Sequence, residues 1–167
     1  MSAGGVVIWI TGRPSSGKSA LAERLRKRFV HAKRPVLLLD GDAVRATMKP
    51  PVGYDEQSRQ DFYETLANLA ALFATQGLVV LVPATAHLRA YRDHARTVAE
   101  RFVEVYVHVS AERCAERDAK GLYAAVREGK AKDVPGADIP YETPESPDVI
   151  ALGGYADEAV SKTFRLV

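Results

Sequence analysis

The chain has 167 residues, 47% of them hydrophobic and 26% charged, a length and balance suited to one globular domain over residues 1–167 with a single sizeable core. Lys and Arg number 23 against 21 Asp and Glu, so the net charge of +2 gives no basis for a nucleic-acid or membrane partner. One cysteine, Cys114, excludes an internal disulfide and fits a reducing, cytoplasmic setting.

The opening MSAGGVVIWITG has no basic stretch before its apolar run, and that run is too short to cross a bilayer. It reads as a first strand, Val6 to Thr11, buried on both faces. In SALAERLRKRFV the residues Leu21, Leu25 and Phe29 recur every fourth position, the stripe of an amphipathic helix. RPVLLLDGD gives a second buried strand ending in two carboxylates, and a long helix runs from about Glu56 to Gln76. A third strand, Leu78 to Ala84, is followed by a helix near Arg89 to Arg101 and a fourth strand, Val103 to Val109. A short helix around Ala111 to Arg117 leads into a proline-rich segment. Asp148 to Leu152 reads as a fifth strand, and Asp157 to Phe164 as a closing helix.

Strands alternating with helices predict a three-layer α/β fold, with a five-stranded, mainly parallel sheet covered on both faces. Ligands of such sheets sit beyond the carboxyl ends of the strands. The stretch from about residue 118 to 147 is too long and irregular for a simple connection and reads as a mobile lid.

GRPSSGKSA, residues 12 to 20, follows the first strand and opens the first helix, the context in which this pattern holds nucleotide phosphates. The cradle runs through Gly12, Arg13, Pro14, Ser15, Ser16, Gly17, Lys18, Ser19 and Ala20. Backbone N–H groups from Arg13 to Ser19 surround the β-phosphate of ATP, aided by the positive helix end. Lys18 reaches the β- and γ-phosphates, and the Ser19 hydroxyl ligates Mg²⁺. The third strand, LVVLVPA, holds no carboxylate of the kind that motor and switch proteins use. The acids stand instead at the end of strand two, as Asp40 and Asp42. Strand alternation points both the same way, and Gly41 between them lets a substrate approach the backbone. A carboxylate there accepts the proton of an attacking hydroxyl, as in a small kinase. The alternative for Asp42 is a helix cap.

At LDGDAVR the sequence begins to resemble the adenylylsulfate kinases, P-loop kinases of small molecules. The likeness continues through GYDEQSR, LANLAALFATQGLVVLV, RAYRD, VEVYVHVSAERCAERDAKGLY and IPYETPESPDVI, covering roughly residues 5 to 152. The resemblance implies Mg²⁺- and ATP-dependent phosphorylation of the ribose 3′-hydroxyl of adenosine 5′-phosphosulfate, in sulfate activation, by a cytoplasmic homodimer with a flexible lid. By position it makes Asp42 the general base and sets Arg45 and Arg59 at the acceptor's phosphosulfate end. It places Arg117 near the ATP adenine, and Lys120 and Lys132 in the lid.

The departures lie on the acceptor side. Phe62 stands where the family has asparagine, and Glu64 and Thr65 where arginines follow it. Ala86-His87-Leu88-Arg89 replaces Ser-Pro-Tyr-Arg, so Ala86 excludes a phosphoserine relay and transfer is direct. Val134 replaces a lid aromatic that helps sandwich the adenine, and Tyr54 replaces a phenylalanine opposite. Tyr54 and Phe62 then supply the lost stacking, or the pocket takes another acceptor. His87 reads as a surface residue. Two other functions stay open: a paralogous kinase of a different nucleotide-like or small phosphorylated alcohol, and a non-catalytic nucleotide-binding regulator. Retention of Lys18, Ser19 and Asp42 together argues against the regulator.

Overall fold

The computed structural model describes residues 4–167. In chain order its elements are β1 (Val6–Thr11), α1 (Lys18–His31), β2 (Val36–Leu38), α2 (Gly41–Thr47), α3 (Glu56–Thr75), β3 (Val79–Pro83) and α4 (Arg89–Val98), then β4 (Phe102–Val107), α5 (Ala111–Arg117), α6 (Leu122–Arg127), β5 (Val149–Ala151) and α7 (Asp157–Arg165).

The strands form a sheet in the order β2-β3-β1-β4-β5, and every pairing is parallel. β1 lies at the centre, with Ile8 opposite Leu81 of β3 and Val103 of β4. Its side chains alternate between two cores, which is why its apolar run is unbroken. Ile8 and Ile10 join Leu21, Leu25 and Phe29 of α1 on one face. Val7 and Trp9 join Leu66 and Ala70 of α3 on the other. The four-residue spacing of Leu21, Leu25 and Phe29 is thus a fully buried stripe, each 0% exposed.

The structure corrects the reading of strand two. β2 is three residues long and only half-buried, because it is an edge strand with β3 as its one neighbour. It ends before the carboxylates. Asp40 is the N-cap of α2 and Asp42 lies in that helix's first turn, so strand alternation does not orient them. Gly41 is buried against the end of β3, where a Cβ would meet Ala84 Cβ at 3.4 Å and Pro83 O at 3.5 Å, ordinary contact distances. The irregular segment contains a helix the sequence reading missed, α6, which starts after Gly121 and whose first-turn N–H groups of Tyr123 and Ala124 donate to the Asp118 carboxylate.

Candidate active site

The phosphate loop leaves the carboxyl end of β1 as a tight turn. Ser16 N–H donates to Arg13 O at 3.1 Å, and Ser15 takes a positive φ of 65°. Gly17 sits at φ 103°, and a Cβ on it would fall 2.7 Å from Gly154 N, so glycine is required on both counts. Neighbouring segments brace the loop from outside. Tyr123 OH donates to Pro14 O at 2.9 Å, and Ala119 N–H donates to Ser15 Oγ at 3.1 Å. The Arg13 guanidinium lies 5.3 Å from the Tyr141 ring centre. Ala20 follows within α1. Arg117 is exposed at the end of α5, two residues before the Ala119 contact.

Lys18 turns its ammonium back over the loop, donating to Gly12 O at 3.0 Å and Arg13 O at 2.9 Å. Burial first, and then repulsion from Lys120, pull its pKa down to about 8. The opposing attraction comes from Asp42, Cys114 and Asp40. A second cation close by would add to Lys18's strain, while phosphate oxygens would relieve it.

The two acids divide their work. Asp40 Oδ1 accepts the N–H groups of Asp42 at 2.9 Å and Ala43 at 3.1 Å, which makes it the cap. Its Oδ2 faces Ser19 Oγ at 3.4 Å. Asp42 does no capping; its exposed carboxylate pairs with Lys120 from the segment read as a lid. Phosphate loop, α2 and Lys120 therefore meet at one place.

Ser19 and Asp40 together offer a hydroxyl and a carboxylate oxygen, hard donors of the kind Mg²⁺ takes while keeping other positions for water and phosphate. Among the described residues, no cluster of three or more His, Cys, Asp or Glu residues makes an all-protein metal cage. The residues present fit a cation shared with a nucleotide.

Across the cleft, Arg45 stacks its guanidinium 4.0 Å from the Phe62 ring centre and 4.4 Å from that of Tyr54. Arg59 is 9% exposed, lies 5.7 Å from the Tyr54 ring centre and donates to Asp133 O. Phe62 and Val134 are buried, Tyr54 is open to solvent, and Lys132 is exposed beside Asp133. Asp138 holds the turn at Val134 by accepting the N–H groups of Asp133 and Val134.

His87 is not a surface residue. It is 6% exposed, with its ring edge-on to Tyr91 and its Nδ1 unpartnered. Burial above all, helped by Arg59 and Arg92, pulls its pKa down to about 4. The sequence reading also passed over Arg92, 1% exposed, which donates to Ala86 O and Glu142 O at 2.6 Å each. Its signal was present: Arg92 follows Arg89 by three positions beside Tyr91 and Ala95, on the buried side of α4.

With this geometry in view, the likenesses to other proteins become specific. The family described as adenylylsulphate kinase matches residues 4–151. A probable adenylyl-sulfate kinase of Archaeoglobus fulgidus is 38% identical over 144 residues, 86% of this chain and 93% of that protein. The adenylyl-sulfate kinase of Paraburkholderia xenovorans is 39% identical over 153 residues, 89% of this chain and 84% of its own. Among solved structures, the Mycobacterium tuberculosis APS kinase in complex with AMPPNP and APS superposes with a TM-score of 0.90 at 32% identity. That match covers 97% of this chain and 96% of the other. Sequence and fold agree over nearly the whole length, and this chain belongs to the adenylylsulphate kinase family.

Proposed function

We infer that this chain is an ATP-dependent kinase that phosphorylates the 3′-hydroxyl of adenosine 5′-phosphosulfate, giving 3′-phosphoadenylylsulfate and ADP. The observation that carries this reading is its near full-length superposition, at a TM-score of 0.90, on an APS kinase in complex with AMPPNP and APS. The arrangement at the carboxyl ends of the strands supports it.

The N–H groups of the phosphate loop and Lys18 hold the β- and γ-phosphates. Ser19 and Asp40 would hold Mg²⁺, which when bound neutralises charge on those phosphate oxygens. The acceptor hydroxyl gives its proton to the Asp42 carboxylate as its oxygen bonds to the γ-phosphorus, and the bond to the β–γ bridging oxygen breaks. ADP leaves with that electron pair. Lys120, which pairs with Asp42, brings a second cation to the side of the cleft where the phosphoryl group is transferred. Arg45 and Arg59 supply fixed positive charge for the anionic end of the acceptor. The family resemblance assigns Arg117 to the adenine of ATP and Lys132 to a lid over segment 118–147; Arg117 is exposed at the end of α5. The family relationship also supports a cytoplasmic homodimer. No helix among the described residues is long and apolar enough to cross a membrane.

ADP release measured over a panel of acceptors tests the reading. Adenosine 5′-phosphosulfate is expected to give the highest kcat/KM. A higher value for another nucleotide or phosphorylated alcohol would favour the paralogous kinase, for which the altered residues Phe62 and Val134 are the specific motive.

A further inference from the structure

We propose that Phe62 is a positioning residue: its ring holds the Arg45 guanidinium in the plane from which it grips the acceptor's oxyanion. The inference rests on the kinase reading above for what Arg45 binds, but its geometric part does not.

Three contacts fix Arg45. Its guanidinium carbon stands 4.0 Å from the Phe62 ring centre and 4.4 Å from the Tyr54 ring centre, so two aromatic rings lie against the cation. Its Nη1 donates to Gly53 O at 2.9 Å. A stacked guanidinium keeps its N–H groups at its edges, where they match the paired oxygens of a phosphate or sulfate. The support beneath is stiff. Phe62 is 3% exposed and meets Tyr63 edge-on at 5.3 Å, while Tyr63 stacks on Tyr91 at 4.7 Å. The Tyr63 hydroxyl accepts the Ala86 N–H at 3.1 Å, which ties this aromatic row to the end of β3.

The contact changes what Phe62 can do. Sequence reasoning offers its ring as a stacking surface for the adenine, yet that ring is where Arg45 lies. An asparagine at this place supplies no π-face, so this chain holds its arginine by a means an amide cannot provide. The attraction is strongest when, as for Phe62, the ring is desolvated. A free arginine would have to give up side-chain freedom on meeting the anion, and Phe62 removes much of that loss in advance.

The test is a double-mutant cycle on Phe62→Leu and Arg45→Met, with acceptor KM and kcat read separately. Phe62→Leu is expected to raise acceptor KM about tenfold and leave kcat within about twofold. Phe62→Tyr, which keeps the π-face, restores the wild-type KM. In the Arg45→Met background the Phe62→Leu effect disappears. An undiminished effect in that background would overturn the proposal, because Phe62 would then be acting on the acceptor itself. Phe62→Met, of similar volume, stands in where the leucine variant folds poorly. An activity-free readout separates this idea from the function: the Arg45 Nε–H resonance is expected to be ring-shifted upfield in the wild type and to relax in Phe62→Leu. An unshifted wild-type signal would overturn the stacking whatever the acceptor. Failure to turn over adenosine 5′-phosphosulfate with the shift intact would overturn the function and leave the positioning standing.

Discussion

Asp40 and Asp42 stand two positions apart and differ in every contact they make. Because Asp40 satisfies the free N–H groups of α2, the Asp42 carboxylate stays outside the cap and pairs with Lys120. Asp42→Asn, measured by steady-state kinetics, is expected to lower kcat by about 10²–10⁴ with little change in ATP affinity. Loss of the same size in Asp40→Asn, with Asp42→Asn active, would reverse the assignment. Lys18 makes a different prediction. With its pKa pulled down to about 8, it carries its proton only in part in mildly alkaline solution, and the charge of a bound triphosphate would favour the protonated form. Calorimetry of ATP binding at pH 8.5 in buffers of different ionisation enthalpy is expected to show net proton uptake, absent in Lys18→Met. His87 acts on stability instead. Its pKa falls from 6.5 to about 4 on folding, so the unfolded chain binds a proton that the fold refuses. Stability is complete above pH 6.5 and declines as the pH drops from there to 4, by on the order of 2–3 kcal/mol. Urea titrations across that window are expected to show the slope, and His87→Gln to flatten it. The phosphate loop was readable residue by residue, because its glycines and lysine follow from one local geometry. His87 was not: its burial depends on Tyr91 and the segment near Glu142, far apart in sequence.

At the scale of elements, two arginines are among the links that join the segment 118–147 to the body, beside Tyr123, Ala119 and Lys120. Arg92 of α4 spans Ala86 O and Glu142 O, and Arg59 of α3 reaches Asp133 O. The buried Arg92 contact is the stronger tether, since removing it strands two carbonyls in low dielectric. Arg92→Met is expected to cost about 2–4 kcal/mol in denaturant unfolding and to speed tryptic cleavage within 118–147. Unchanged cleavage would mean that the segment is held elsewhere. The long periodic helices and the central strands were legible because burial imposes a pattern on many residues at once. β1 and α3 are of this kind. β2 was overextended because its apolar letters look alike whether a strand lies at the centre of a sheet or at its edge. α6 was overlooked since it starts from a left-handed turn at Gly121, with its first N–H groups held by Asp118, and its six residues are too few to show a stripe.

For the whole molecule, parallel pairing sends the ends of β1 and β3 and the start of α2 to one rim, so loop, acids and arginines gather there. This much follows from alternation of strands and helices, and was legible. The contact between Phe62 and Arg45 was not, because a cation–π contact between α2 and α3 leaves no periodic trace. Exposed Ile150, Leu152 and Tyr155 lie along and beyond the β5 edge, 55%, 79% and 81% exposed, and a homodimer is expected to mask apolar surface of this kind. Light scattering is expected to give twice the 18.2 kDa chain mass. The decisive measurement is the identity of the product after incubation with Mg²⁺, ATP and adenosine 5′-phosphosulfate. Direct transfer yields 3′-phosphoadenylylsulfate in amounts equal to the ADP formed; ADP matched instead by inorganic phosphate, with the acceptor unaltered, would show hydrolysis and overturn the kinase assignment.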